Sequence, residues 1–287
     1  MDTDKQIRAM AAELSLLTHS QRAWIDSIIQ QFKLEHTFIR KEDSDLVTET
    51  VLQNIGDLLR IHHAMSRRSL SKAPFEYVFE KALQLSGKPA RLADSATNPG
   101  YDLTIGPVRI SLKTEAAKNI SDSKIHVSKW MEMGKGEWDP VNKQLPRFLE
   151  HMEGYDRILT LRCLVQTGTE YLYELVEIPK SLMLEAATGS LECASESTQE
   201  TKPWYCRVLD TEANAKALAA YNAKARKPKT LPKSVYKFSL YFDAGTERKL
   251  QVKGLLKSHC VVHATWKFNS TQLVGSGNEE DEEGASS

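Results

Sequence analysis

The chain has 287 residues, enough for one large domain or two small ones. Its 41% hydrophobic and 26% charged content is ordinary for a globular protein, and no apolar run approaches the roughly 20 residues that cross a bilayer. The acid-led N-terminus MDTDKQIRAM lacks a signal-peptide layout, so a cytoplasmic location is expected, with no membrane partner. Lys+Arg and Asp+Glu balance at 38 each, but Glu279, Glu280, Asp281, Glu282 and Glu283 lie in a base-free tail. Without those five acids the body carries 38 bases against 33 acids, a net +5 that suits a polyanionic partner. Residues 269–287 are poor in apolar residues and are expected to be a disordered acidic tail. Cys163, Cys193, Cys206 and Cys260 are scattered with no CxxC pair, which disfavours a zinc ribbon or a disulfide framework.

Apolar residues at helical spacing predict helices over 4–16 and 20–33, the second capped by Ser20. Residues 34–42 read as irregular or briefly extended. A third helix is expected over 43–65, capped by Asp43 or Ser44, with Val47, Val51, Ile55, Leu58, Leu59 and Ile61 as its stripe. His62-His63 near its end suits a helix-dipole partner. A basic connector, 66–72, leads to a helix at 74–83, where Pro74 fits the first turn and Phe75, Val78, Phe79, Ala82 and Leu83 form an apolar face. Glu76 and Glu80, four apart, share one side of that helix. Asn98-Pro99-Gly100 is read as a turn into the next segment.

That segment, residues 101–115, reads as two strands joined by Gly106-Pro107. Alternation along the second strand puts Ser111, Lys113 and Glu115 on one face, with Ile110, Leu112 and Thr114 on the other. Beyond it, 116–142 is basic, with Lys118, Lys124, Lys129 and Lys135, a short strand near 125–129, and Trp130 and Trp138. These tryptophans suit the core edge or base stacking. A helix is expected at 143–153 if Pro146 lies at its start, then strands at 156–165 and 170–178 and a short helix from Pro179 to Ala187. Residues 188–202 read as a surface loop. A strand at 203–209, a helix at 211–225, a basic run containing Arg226, Lys227, Lys229 and Lys233, and strands at 235–242, 247–253 and 259–268 complete the chain. His259 and His263 fall four apart on the last strand, where core or edge placement is expected.

The pattern implies an α+β fold with an α/β core: a central mixed β-sheet flanked by helices, in one domain over 1–268. Within it, 1–65 forms a helical N-terminal subregion, 74–180 a core, and 203–268 a C-terminal group of strands.

An acid, a hydroxyl and a lysine beside one hairpin suit phosphodiester hydrolysis. Carboxylates hold a divalent ion that stabilises the phosphate's charge, and a lysine orients or activates water. The Asp102…Ser111-Leu112-Lys113 arrangement resembles the PD-(D/E)xK nuclease superfamily, and within it the type II restriction endonucleases. The resemblance covers about residues 74–130. It implies a restriction-endonuclease-like fold, Mg²⁺ as cofactor, double-stranded DNA as partner and a homodimer. Asp102 and Lys113 carry over directly. Ser111 stands where the family has an acid, so the second carboxylate is expected from Glu76 first, then Glu115 or Glu80. The catalytic set is then Asp102, Lys113, Glu76, Ser111 and Glu115, with Asp102, Glu76 and Glu115 as metal ligands. DNA contacts are expected at Lys118, Lys124, Lys129, Lys135, Arg226, Lys227, Lys229, Lys233, Arg248 and Lys249. The alternative implied by Ser111 is a catalytically inactive DNA-binding protein on the same fold.

Overall fold

The computed structural model describes residues 3–95, 100–134 and 137–271. Lys135, the Asn98-Pro99 half of the expected turn and the tail from 272 onward lie outside the described residues. Helices α1 (Thr3–Ser15) and α2 (His19–Lys33) open the chain, followed by strand β1 (His36–Arg40), α3 (Glu49–Met65) and α4 (Lys72–Leu85). Strands β2 (Ala90–Leu92), β3 (Leu103–Ile105), β4 (Val108–Glu115) and β5 (Lys124–Glu132) come next, then a π turn at Pro140–Gln144 that runs into α5 (Leu145–His151). The second half is β6 (Arg157–Thr167), β7 (Glu170–Glu177), α6 (Lys180–Leu184), β8 (Ser190–Cys193), β9 (Trp204–Leu209), α7 (Thr211–Asn222), β10 (Tyr236–Asp243), β11 (Lys249–Leu256) and β12 (Val261–Asn269).

The strands form two sheets. One has seven strands in the order β1-β12-β7-β6-β4-β3-β2, and the other has five in the order β5-β11-β10-β9-β8. The seven-stranded sheet is mixed: β4 runs parallel to β6, and the other pairs are antiparallel. A parallel neighbour demands a long crossover, here supplied by β5 and α5. One face of this sheet packs on α3 and α4 through Ile110, Leu112, Leu161, Val51, Ile55, Phe75 and Phe79. Its other face, through Ile158, Val176 and Ile178, packs on α5, α6 and the five-stranded sheet. Strand β4 therefore lies between two cores, and its two faces look into different surroundings. The sequence segments interleave: β5 joins the C-terminal strands, while β12 returns to the central sheet.

Several boundaries differ from the sequence expectation. Thr18, not Ser20, caps α2, because Gln21 three residues on completes a reciprocal capping box. Helix α3 starts at Glu49 under Thr48; Ser44 instead accepts from the Val47 amide and bonds His263. Residues 36–40 take the extended alternative read for 34–42 and form an edge strand on the distant β12, and 190–193 form β8 inside the expected loop by pairing with the next strand, β9. His63 is buried and pulled down to about 3 by burial, then by neighbouring His62, so it is a neutral core group rather than a charged dipole partner. His259 sits in a 3₁₀ turn before β12 rather than on it. The four cysteines are free thiols, and among the described residues no helix is long and apolar enough to cross a membrane.

Candidate active site

Strand register brings the hairpin's polar groups together. Leu103 pairs with Ile110 and the Asp102 amide donates to the Ile110 carbonyl (2.9 Å), so Asp102 arrives opposite Ser111. Gly106, at φ +56°, takes the left-handed turn conformation that closes the hairpin. The chain entering Asp102 runs against the turn after α5: a Cβ placed on Gly154 would meet Gly100 Cα at 2.7 Å. That backbone contact requires glycine and draws the end of α5 toward the hairpin.

Both oxygens of Asp102 are engaged. Oδ2 accepts from the Leu112 amide (2.6 Å) and the Ser111 hydroxyl (3.3 Å), and Oδ1 accepts from Lys72 Nζ (2.7 Å). The same ammonium lies 3.1 Å from Glu76 Oε1, one turn along α4. Ser111, in the place of the expected acid, thus orients Asp102. Lys72, in what reads as a plain basic connector, joins the two carboxylates.

Lys113 follows two residues along the same face and is only 7% exposed. Among the described residues its ammonium makes no hydrogen bond or ion pair; it lies 5.6 Å from the centre of the Trp130 ring. Its pKa falls to about 8, through burial foremost; Asp102 and Glu76 oppose the fall and Lys72 adds to it. Beside it in register is Thr160, fully buried, whose Oγ1 has no partner among the described residues.

The end of α5 adds two groups that the sequence reading did not single out. Burial, then the positive charge of Lys113, pulls His151 down to about 4, which leaves a neutral imidazole at pH 7. Tyr155 accepts from Trp130 Nε1 (3.0 Å), and burial foremost holds its phenol protonated. Trp130 is accordingly a buried floor under Lys113. Only tertiary packing brings α5 here, and no short-range pattern signals it.

Glu115 and Glu80 are engaged elsewhere. Glu115 bonds Arg162 Nε (2.5 Å) and accepts from the His126 amide (3.0 Å). Burial raises its pKa, and Arg162 opposes. Glu80 accepts from the Leu92 amide (2.8 Å) and anchors β2. Of the three glutamates, Glu76 is the one that shares a partner with Asp102. The basic candidates spread over three regions, two exposed and the third, Arg248 and Lys249, half-buried. Lys118 and Lys124 flank the Glu115 end of β4, and Lys129 pairs with Glu132 (2.7 Å). Arg226, Lys227, Lys229 and Lys233 lie in the exposed segment after α7. Lys249 pairs with Glu247 (3.6 Å), and Arg248 lies over Trp138 (5.6 Å).

Among the described residues no cluster of three or more His, Cys, Asp or Glu side chains is preassembled for a metal. A hard cation that keeps several waters needs fewer protein ligands. The Lys72 ammonium, a cation held between Asp102 Oδ1 and Glu76 Oε1, marks a point where two carboxylates converge on positive charge. The donor set therefore fits a hydrated divalent ion.

The family model for SmaI, a type II site-specific deoxyribonuclease, matches residues 10–229 and 217–268. The type II restriction enzyme SmaI of Serratia marcescens is 46% identical over 240 residues, spanning 84% of this chain and 88% of that protein. The chain belongs to this family of type II site-specific deoxyribonucleases. It is a sequence-specific DNA endonuclease, a hydrolase acting on double-stranded DNA, as the resemblance at the hairpin implied. No solved structure matches it. The endonuclease thus has its hairpin and α5 groups inside the matched span.

Proposed function

We propose that the endonuclease hydrolyses its DNA with Mg²⁺ held at Asp102 and Glu76, and that Lys113 handles the attacking water. The observation that carries this reading is the Lys113 amine: buried, without a counter-ion among the described residues, near Asp102 and lowered to a pKa of about 8. An amine tuned to that range can take a proton from water at working pH. Asp102 is pre-oriented by the Leu112 amide and Ser111, so it spends little ordering on a cation. Bound Mg²⁺ supplies Lewis-acid stabilisation of the phosphate's developing charge. Neutral His151 and the Thr160 hydroxyl offer further polar positions beside Lys113. Glu115, with Arg162 as its partner, is assigned to structure rather than to metal.

The test is cleavage of phage-lambda DNA with and without Mg²⁺. The wild type gives discrete fragments only with the metal, and Asp102→Ala and Lys113→Ala give none. If either variant cuts as well as the wild type, the site assignment is wrong.

We also propose a homodimer. Palindromic DNA is matched by two-fold protein symmetry. Helices α1 and α2 expose Ile7 (58%), Met10 (65%) and Trp24 (62%), apolar side chains suited to burial against a second copy. Sedimentation equilibrium of the wild type against Trp24→Asp checks this: a dimer that weakens supports it, and a monomeric wild type overturns it. Arg226, Lys227, Lys229, Lys233, Arg248 and Lys249 remain the proposed phosphate contacts of the C-terminal strands, with Lys118, Lys124, Lys129 and Lys135 on the catalytic side.

A further inference from the structure

We infer that Lys72 is the resident counter-cation of the Asp102–Glu76 pair, and that an incoming divalent ion must displace it. This rests on the proposed metal site. Its ammonium bridges Asp102 Oδ1 (2.7 Å) and Glu76 Oε1 (3.1 Å), the two oxygens best placed to receive a metal. Two carboxylates turned toward one point repel each other, and a single ammonium offsets both. A divalent ion with its waters cannot share that point with an ammonium. Lys72 sits at the first residue of α4, and its side chain is 46% exposed, so it has room to swing into solvent. The second lysine of the site differs in this respect. Lys113 is walled in by Trp130 and the sheet and stays where it is.

The displaced ammonium has a use. It remains tethered within a side-chain length of the metal position, where a scissile phosphate would present its non-bridging oxygens. Lys72 thus holds the acids together when metal is absent and becomes a phosphate-facing cation once metal enters. Cation binding and phosphate contact are coupled through one side chain. The contacts being exchanged are charge-assisted hydrogen bonds of a partly exposed group, so the coupling is modest, about tenfold in metal affinity.

The experiment is a Mn²⁺ titration of the full-length, metal-free protein, read by the paramagnetic resonance of free Mn²⁺, with no DNA present. Lys72→Gln is expected to bind Mn²⁺ about tenfold tighter than the wild type, and Lys72→Arg, which keeps the counter-charge, within about twofold. Lys81→Gln removes an exposed charge nine residues along α4, roughly 13 Å away by helical rise. Screening at that range holds its effect within about twofold. In parallel, acetylation of Lys72 in the wild type, followed by mass spectrometry, is expected to rise several-fold on Ca²⁺ addition while that of Lys81 does not. Unchanged or weaker binding by Lys72→Gln, or Lys72 reactivity indifferent to saturating Ca²⁺, overturns the inference. Asp102→Asn separates the two levels of the argument. If it binds Mn²⁺ as well as the wild type, the metal site itself is misassigned and the inference falls with it. If Asp102→Asn loses binding while Lys72→Gln does not gain it, the metal site stands and only the role of Lys72 is refuted.

Discussion

Strand β4 ends in two polar clusters on the same face, four residues apart, and they are opposites. At the Glu115 end the buried charges are paired with one another. Arg162, wholly buried, reaches both Glu115 and Glu174, and its Nη2 donates to the Ser121 and Lys124 carbonyls. Lys257 adds Asp122 (2.7 Å) and a second contact to Glu174 (3.0 Å). At the Asp102 end the groups are under-compensated. Lys113 is buried without a counter-ion among the described residues, the Thr160 hydroxyl has no partner there, and two acids share one exposed lysine. A satisfied buried network specifies a fold, whereas an unsatisfied one costs stability and persists where chemistry needs it. The same alternation of residue types along one strand thus yields a closed ionic network at one end and the proposed reaction site at the other.

The largest expected effect separates the two ends by activity. Asp102→Asn or Lys113→Met should lower the cleavage rate by at least about 10³-fold, on the order of 4 kcal/mol, with the fold retained by circular dichroism. Comparable activity in either variant would erase the distinction between the ends. Arg162→Met should instead be felt as stability. Breaking this network strands Glu115 and Glu174 in the interior, and urea unfolding should show a loss of roughly 3–5 kcal/mol. A loss under about 1 kcal/mol would mean the closed cluster is not a strut.

Lys113 gives a third contrast, in pH. Its proton is held less tightly in the native protein, at about 8 against 10.5 for the free side chain. Between those values the unfolded chain keeps a proton that the native one has shed, so the stability of the metal-free protein rises with pH across that window. At pH 7 the buried ammonium costs up to about 3 kcal/mol, and Lys113→Met should recover part of it even as it removes activity. Melting curves of both proteins at pH 7 and pH 10 check this: the gap between them should shrink at the higher pH. A variant that is less stable at pH 7 would show that Lys113 is structurally paired.

How much of this was legible in the sequence follows from the range of the forces involved. The hairpin, its Gly106-Pro107 turn and the shared face of Ser111, Lys113 and Glu115 are local consequences of strand alternation, and the structure has them as read. The apolar face of α4 likewise follows from helical spacing. The sequence reading put Glu76 ahead of Glu80, though both lie on one side of α4; in the structure Glu80 is taken by the Leu92 amide and Glu76 by Lys72. That choice depends on where β2 pairs, information some ten residues downstream. Lys72 looked like one base among several in 66–72, because only the arrival of Asp102 gives it a partner. His151 and Thr160 reach Lys113 through a crossover and a parallel pairing, for which no short-range signal exists. The strands β2 and β8 are too short to carry a pattern and are held by their neighbours.

The smallest effect bears on the residue where the sequence departs from the superfamily pattern. Ser111 is buried and donates to Asp102 Oδ2 at 3.3 Å, while the Leu112 amide holds the same oxygen at 2.6 Å. The shorter, backbone-borne bond survives any substitution at 111, so the carboxylate keeps most of its orientation. Ser111→Ala should therefore cost about 1 kcal/mol, a drop of roughly tenfold or less in cleavage rate, with little change in the Mg²⁺ concentration needed for half-maximal activity. Glu76→Gln should do the reverse, raising the Mg²⁺ requirement by removing the charge of a proposed ligand. If Ser111→Ala instead shifts the Mg²⁺ requirement as far as Glu76→Gln, the hydroxyl is a ligand rather than an orienting donor. The missing acid would then be replaced at position 111 itself and not from helix α4.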